Sequence, residues 1–528
     1  MGIGGQGISA VAQMALLTGE TVTGCDRGIS PTVKELQQQG IDVQIGHSAD
    51  HLDGVDTLVI SPAVPALDPH NPELLAAQQR GVQVVTWQEL LGQLMDGKCV
   101  LSVSGVHGKS TTTSMLSLVL TDAGLDPTCM IGAVVPRFGV NYRLGKSQYF
   151  VNEADEFNHN FWHYHPRLAI VKSIEYEHPE FFADYEAFLA AFEHFVRGMD
   201  MHGDWPLPPT LLLNADNAGC LELLERLQDW PGRVLTFSIE DSTGRNRIAV
   251  PTDGDKSRDD PTVSSNSLPS VGAAIHSARP SLAEPPAFEA YDVKLDGETS
   301  FRVRIRDLSP IGRGPIHCAR SSPFPDRVIR LRLPGVFNIE NALSALAAAH
   351  CVGVPADSII TTLEDFGGTR RRFDIRHEGP LQLKHGEVDD VMLVDDYAHH
   401  PTAIDATLKG ARRRYPERRL VAVYQPHMYS RTKVFFEQFL EAFDAADAVI
   451  IADIFPAREL DTGLIHSRDL VAALAERPRF VEGGAQVYHG GDADETSQVL
   501  GSILRSGDLA VIMGAGDIYF QSLNREKM

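Results

Sequence analysis

The run CVLSVSGVHGKSTTTSML, Cys99 to Leu116, constrains this chain more than any other stretch. Its first residues are an apolar strand that enters a glycine loop directly, and the loop opens a helix. Glycines at 105 and 108 let backbone amides approach phosphate oxygens, and the helix N-terminus adds partial positive charge. Gly105, Val106, His107, Gly108, Lys109, Ser110 and Thr111 are therefore candidate ATP-binding residues. Lys109 is placed for the β- and γ-phosphates, and Ser110 or Thr111 for a hydroxyl on Mg²⁺. The plainer reading is a glycine turn before a capped helix, which the GKST run in strand–loop–helix context outweighs. The first glycine of the usual phosphate loop falls at Val103, so the match is partial.

Such a loop needs a parallel sheet, and the rest of the chain supplies the pattern for one. At 528 residues the chain is too long for one ordinary core. Residues 1–94 alternate strands (TVTGCD, DTLVISPAV) with helices ended by glycine (TVKELQQQG, NPELLAAQQRG), as crossover units do. A second unit spans 95–375, from KCVLSVSG through LAIVKSI and TLLLNAD to the arginine run at Arg370–Arg372. A third, 376–528, runs strand-then-helix from VMLVDDYAHHP through LVAVYQPH and AVIIADIFP to LAVIMGAGDIYF. Between about 241 and 286 the pattern gives way to Ser, Pro, Asp and Gly, which cannot bury enough apolar surface to offset ordering entropy. That stretch reads as a mobile surface insertion. FEAYDVKL, TSFRVRIR and RVIRLRL then alternate with period two, as antiparallel strands do.

Composition narrows the function classes. A net charge of −23 makes charge-driven nucleic-acid binding a poor expectation, although a local site of amides and a lysine can still take a small anion. The six cysteines form no close pair, which argues against a zinc cluster or a disulfide framework and fits a reducing compartment. No apolar run reaches membrane-spanning length; ALSALAAAHCVGV reads as a buried helix. The first residues lack a basic stretch before their apolar run and read poorly as a signal peptide. A cytoplasmic protein without membrane insertion is expected.

Carboxylates at Glu153, Asp155 and Glu156 follow the strand QYFVNEAD, and oxygen donors suit Mg²⁺. His178 follows the next strand, LAIVKSI. Neighbouring parallel strand ends share one edge of a sheet, so Lys109, Glu153 and His178 are expected to converge there. Taken singly, an acidic cluster is more often a solvated surface and a loop histidine is usually no ligand. The order of the motifs changes those odds. His159, His163 and His165 are left as surface or packing residues.

Together these segments resemble the Mur ligases, most closely the branch that adds L-alanine. GIGGQGIS is similar to the family's opening glycine loop, VSGVHGKSTTTSML to its ATP loop, and EADE with IEYEHP to its magnesium segments. LPGVFNIENALSALA, FGGTRRRFD, VDDYAHHPTAI, YQPHMYSRT and MGAGDI follow in the family's order. The resemblance implies an α/β chain of three domains: a Rossmann-like N-terminal domain for a UDP sugar, a central P-loop ATPase-type domain, and a Rossmann-like C-terminal domain for the amino acid. It implies ATP-dependent ligation of L-alanine to UDP-N-acetylmuramate through an acyl phosphate, in peptidoglycan synthesis, with ATP and Mg²⁺ as cofactors. Gly4, Gly5, Gly7, Asp26 and Ser61 would meet the UDP sugar. Ser110 and Glu153 would hold a first metal ion and His178 a second. Asn338 and Asn341 would face adenine, and Arg371 and Asp396 would contact the nucleotide. His399, His427 and Arg431 would meet the acyl phosphate and the amino-acid carboxylate. A transition-metal site at the His399–His400 doublet is the lesser reading beside the DDYAHHP match.

Several positions depart from the family pattern. Lys172 and Ser173 stand where Thr and Asn are usual, Phe337 where His is usual, and Met428 where an Arg is usual, which removes a cation near the expected substrate carboxylate. Two rivals remain: a ligase that reattaches a recycled murein tripeptide, and a UDP-sugar sensor without catalysis. The strand that ordinarily precedes the opening glycine loop has no counterpart before GIGG. TVTGCD is therefore expected to lose backbone partners, in an N-terminally shortened version of a longer protein or in a variant where another segment fills the gap.

Overall fold

A computed structural model describes residues 1–240, 285–306 and 324–518, apart from 63, 66, 67, 180, 296, 297, 384, 385, 458, 462 and 517. Nearly all of the insertion read at 241–286 lies outside these residues.

In the first unit, β1 (Thr23–Asp26) pairs in parallel with β2 (Asp42–Ile45), and β3 (Thr57–Ile60) with β4 (Gln83–Thr86). Helices α1 (Gln6–Leu17), α2 (Pro31–Gln38), α3 (Pro72–Arg80) and α4 (Trp87–Leu94) connect and cover them. Local chemistry fixes their ends. Ser30 and Asn71 accept from the first-turn amides of α2 and α3, and Gly81 closes α3 with φ +70°. The two ladders are not hydrogen-bonded to each other directly. Residues 1–3 lie between them: the amides of Gly2 and Ile3 both donate to Cys25 O, and the Met1 amino group donates to Val59 O at 2.7 Å. TVTGCD therefore keeps backbone partners at Cys25, contrary to the expectation that it would lose them.

Among the described residues the middle unit holds ten strands: β5 (Cys99–Ser104), β6 (Thr128–Met130), β7 (Tyr142–Arg143), β8 (Tyr149–Glu153), β9 (Leu168–Val171), β10 (Thr210–Asn214), β11 (Arg233–Ile239), β12 (Phe288–Lys294), β13 (Thr299–Ile305) and β14 (Ile329–Leu331). Their order across the sheet is β14-β13-β12-β11-β10-β9-β5-β8-β6-β7. The period-two segments form its antiparallel end, β12 to β14. Every residue of β5 is buried, and alternate side chains serve opposite faces. Cys99, Leu101 and Val103 join a core with α5 (Lys109–Asp122), α8 (Val336–Val352) and α9 (Ala356–Asp365). Val100 faces α6 (Tyr185–Arg197) and α7 (Ala218–Arg226), in a second core that also takes Ala10, Val11 and Met14 of α1 and Leu91 of α4. That shared core seats the first unit on the middle sheet.

The third unit is a six-stranded sheet ordered β15-β16-β20-β17-β18-β19, parallel except for the β15/β16 pair. Its strands are β15 (Asp374–Leu383), β16 (Gly386–Asp396), β17 (Arg419–Tyr424), β18 (Ala448–Ala452), β19 (Gln486–Gly491) and β20 (Asp508–Met513), and α10 (Pro401–Arg414) follows β16. Separate apolar layers fill its two faces, around Val394, Ala422 and Phe439 on one and Leu393, Val423 and Ile512 on the other. Among the described residues, no helix is long and apolar enough to cross a membrane.

Candidate active site

Parallel strands β9, β5 and β8 are neighbours, so the loops at their C-terminal ends open side by side. The loop after β5 is shaped by its glycines. Gly105 has φ +114°, and a Cβ there would sit 2.7 Å from Ser173 N; Gly108 has φ +80°, and a Cβ there would sit 2.3 Å from Asn341 Oδ1. No other residue fits either position without moving its neighbours. Ser173 ties the loop down, with its O accepting from Val106 N at 3.1 Å and its Oγ from His107 N at 3.2 Å. The first bond of α5 runs from Thr112 N to Gly108 O, so the amides of Lys109, Ser110 and Thr111 have no acceptor within the helix.

Lys109 Nζ donates to both oxygens of Glu156, at 2.8 and 2.9 Å, with Asp155 at 4.0 Å. Burial alone would favour the neutral amine, but Glu156, Asp155 and Glu153 outweigh it and hold the lysine charged. Donor atoms of Asp155, Glu156 and His178 lie within 4.8 Å of one another, a set of two carboxylate oxygens and one imidazole nitrogen. His178 sits at φ +57° with its ring edge-on to Phe157. Glu153, at the end of β8, instead receives the Gly132 amide at 2.8 Å. The acidic cluster thus divides into a carboxylate fixed by backbone and a pair grouped with His178.

Behind the loop, Asn341 accepts from Thr112 Oγ1 and donates to Asn338, which donates to Pro334 O. Lys172 is buried beside them and pairs with Glu340 at 2.8 Å. Desolvation lowers its pKa more than Glu340 restores it. Phe337 would contact a Cβ placed on Gly410, which brings α8 against α10 of the third unit.

The opposite wall comes from the ends of β16 and β17. Arg371, at φ +60°, donates to Gly514 O and Gly516 O, and Asp396 accepts from the amides of Phe373 and Ala398. His399 Nδ1 lies 3.0 Å from Tyr397 O; burial, aided by Arg431, pushes its pKa well below the ordinary imidazole range. The His399 and His427 rings are 6.1 Å apart, and Arg431 reaches His427 Nδ1 at 3.2 Å. Arg431 also forms a buried ion pair with Glu177 of the middle unit at 2.8 Å. Burial opposes ionisation of Glu177, yet His400 and Arg431 hold its carboxyl well below the usual range. Thr402 donates to Glu175, and His107 faces His400 with ring centroids 5.4 Å apart.

One cleft of about 1190 Å³ is lined by Gly7 and Ser61 of the first unit, by Val106 to Thr111, Glu153, His178, Asn338 and Asn341 of the middle unit, and by Arg371, Asp396, His399, His427 and Arg431. Gly4, Gly5, Asp26 and Gly105 do not line it; Gly4 N is bound to Asp26 Oδ2 at 2.8 Å beside β1. Residue 1–98 similarity is to the Mur ligase family catalytic domain, 103–268 to the Mur ligase middle domain, and 381–516 to the Mur ligase glutamate ligase domain. A UDP-N-acetylmuramate–L-alanine ligase of Clostridium novyi is 33% identical over 98% of this chain and 94% of its own length. The chain belongs to the Mur ligase family. A second relative of this family, the UDP-N-acetylmuramate–L-alanine ligase of Chlorobium phaeobacteroides, is 34% identical over 98% of this chain and 94% of its own. The fold of the UDP-N-acetylmuramate–alanine ligase of Thermotoga maritima superposes with a TM-score of 0.69 at 22% identity, over 99% of this chain and 96% of that one. A murein peptide ligase of Psychrobacter arcticus does so at 0.63 and 23%, over 99% and 97%. As a Mur ligase the protein is an ATP-dependent enzyme that forms carbon–nitrogen bonds.

Residue-by-residue reading missed the partners of the Mur ligase cleft. Glu175 and Glu177 flank Tyr176 in IEYEHP, and the period of an extended segment puts both on one side. That alternation was the available signal. Nothing in sequence separation points from Glu177 to Arg431.

Proposed function

We propose that this Mur ligase joins L-alanine to the carboxylate of UDP-N-acetylmuramate in an ATP-dependent step of peptidoglycan synthesis. The observation that carries the reading is the convergence of a phosphate loop, a carboxylate–histidine cluster and a neutral-histidine wall on one cleft. Relatives named for this reaction along almost the whole chain support the same choice of acceptor.

A carboxylate is a poor acylating agent, and phosphorylation by ATP makes it an acyl phosphate. The amino group of L-alanine then attacks and phosphate leaves, so the products are an amide, ADP and phosphate. Lys109 exchanges Glu156 for phosphate oxygens, and the amides at the start of α5 take the remaining charge. The donor set suits Mg²⁺: Asp155, Glu156 and His178 would hold one ion, Ser110 and Glu153 another. Bound there, Mg²⁺ supplies charge neutralisation on the phosphates. Asn338 and Asn341 serve adenine, and Arg371 and Asp396 the rest of the nucleotide. Gly4, Gly5, Gly7, Asp26 and Ser61 serve the UDP sugar. His399 donates through Nδ1 to Tyr397 O, which leaves the lone pair on Nε2 to take a proton from the attacking amine. His427 and Arg431 orient the amino-acid carboxylate. Such substrates place the enzyme in the cytoplasm.

The deciding experiment is the mass of the product formed from UDP-N-acetylmuramate, ATP and Mg²⁺ with L-alanine, other amino acids or murein tripeptide. Phosphate release that requires both the sugar nucleotide and L-alanine is expected. Product with the tripeptide alone, or no phosphate release with any acceptor, overturns the reading.

A further inference from the structure

Outside the cleft, four metal-ligating side chains meet inside the first unit. Cys25 lies in β1, His47 and His51 follow β2, and Glu73 is in the first turn of α3. Cys25 Sγ is 3.0 Å from Glu73 Oε2 and 3.5 Å from His47 Nδ1. Glu73 Oε1 is 3.3 Å from His47 Nδ1, 2.8 Å from His51 Nδ1 and 3.3 Å from Ser48 N. Donor atoms of Cys25, His51 and Glu73 all lie within 4.8 Å of one another. Tetrahedral zinc, with bonds of about 2.0–2.3 Å, sets neighbouring donors roughly 3.3–3.6 Å apart; the His47 contacts to Glu73 and Cys25, at 3.3 and 3.5 Å, have that spacing, and the Glu73 contacts to Cys25 and His51, at 3.0 and 2.8 Å, are shorter. Cys25 and Glu73 are almost wholly buried, at 3% and 1% exposure, while the two imidazoles rim the cluster at 13% and 22%.

We propose that Cys25, His47, His51 and Glu73 form a structural zinc site in the first domain. One thiolate, two imidazoles and one carboxylate are a donor set that zinc(II) accepts and Mg²⁺ does not favour. A hydrogen-bonded cluster alone explains less, because two imidazoles and an amide crowd one oxygen of a carboxylate already bonded to a thiol. At neutral pH a cysteine in the metal-free chain carries S–H. Zinc entry releases that proton to solvent. Each neutral imidazole keeps its proton but moves it from Nδ1 to Nε2 by exchange with water, so one proton leaves per ion. The site clamps three segments around β1. Cys25 O receives the amides of Gly2 and Ile3, and the adjacent Asp26 receives that of Gly4, so the clamp fixes the strand against which the opening glycine loop is set.

The test is cobalt(II) titration of the chelator-stripped full chain, without Mg²⁺ or ATP. One equivalent should give a thiolate-to-cobalt charge-transfer band with the strong d–d absorption of four-coordinate cobalt. Zinc(II) should displace it, with apparent affinity rising about tenfold per pH unit and an increase in melting temperature. Cys25→Ser should abolish the charge-transfer band, and His51→Ala should weaken binding by roughly tenfold or more. His178→Ala should leave the band unchanged, since the cleft cluster has no thiolate. No band in the folded parent, or a band that survives Cys25→Ser, overturns the proposal. If Cys25→Ser does not fold, His51→Ala decides, and unaltered affinity in that variant overturns it equally.

Discussion

The two walls of the cleft handle charge in opposite ways. On the middle-domain wall, Lys109 finds its counter-ion locally in Glu156, which follows the neighbouring strand. On the C-terminal wall, His399 and His400 are held neutral by burial, and Arg431 takes its counter-ion from across the cleft, at Glu177. A wall that neutralises itself can bind polyphosphate by exchanging one anion for another. A wall that borrows its counter-ion is tied to the first, and its chemistry depends on the two staying together.

Removing the local pair tests the first half of that contrast most severely. Lys109→Ala is expected to cut ligation by roughly a hundredfold or more while UDP-sugar binding persists, because on the proposed reading the lysine acts on phosphate charge and the first domain holds the sugar nucleotide. Single-turnover phosphate release and sugar-nucleotide titration read the two effects separately, and near-normal turnover breaks the assignment of Lys109.

The second half is read by pH. Burial pushes His400 down to about 4, partly offset by Glu177 and Glu175 and reinforced by His107 and Arg431. Unfolded, the ring titrates near its ordinary value of about 6.5. The unfolded chain therefore binds the extra proton between those values, and stability falls as pH drops from about 6.5 towards about 4. The full shift corresponds to roughly 3 kcal/mol. His400→Gln should flatten that part of the profile in urea denaturation at pH 7.5 and 5. An unchanged slope would mean that the wall is not held neutral by burial.

Backbone geometry on the middle wall is the next lever. Gly108→Ala places a methyl 2.3 Å from Asn341 Oδ1 at a positive φ, and a loss of about 2 kcal/mol is expected. Asn341→Ala in the same chain should recover part of it, since it removes the clash but not the backbone strain. Smallest is His178→Ala, which should raise the Mg²⁺ needed for half-maximal activity roughly tenfold with ATP affinity changed less. A magnesium titration that overlays the parent's removes His178 from the metal shell.

What could be read from the sequence was what lies contiguous in it. GVHGKSTTT carries its strand, loop and helix within one short run, and both glycines show their reason in φ and in the neighbours a Cβ would meet. Which carboxylate of EADE meets Lys109 was hidden, because the chain leaves β8 after Glu153 and the turn decides where Asp155 and Glu156 project. Lys172 was visible as a departure but not as a buried cation paired with Glu340 from α8. Cysteine spacing was blind to Cys25 for a related reason: its neighbours are two histidines and a glutamate brought in by β2 and α3.

The C-terminal sheet has apolar layers of its own on both faces, and three polar contacts tie it to the phosphate-loop wall: Glu177 with Arg431, Glu175 with Thr402, His107 with His400. A unit bounded in that way is a cassette. On the proposed reading, its acceptor-facing residues can be regrafted, or the whole sheet exchanged for one that grips a different nucleophile, while the machinery that activates the carboxylate stays intact, provided the incoming unit supplies a cation for Glu177.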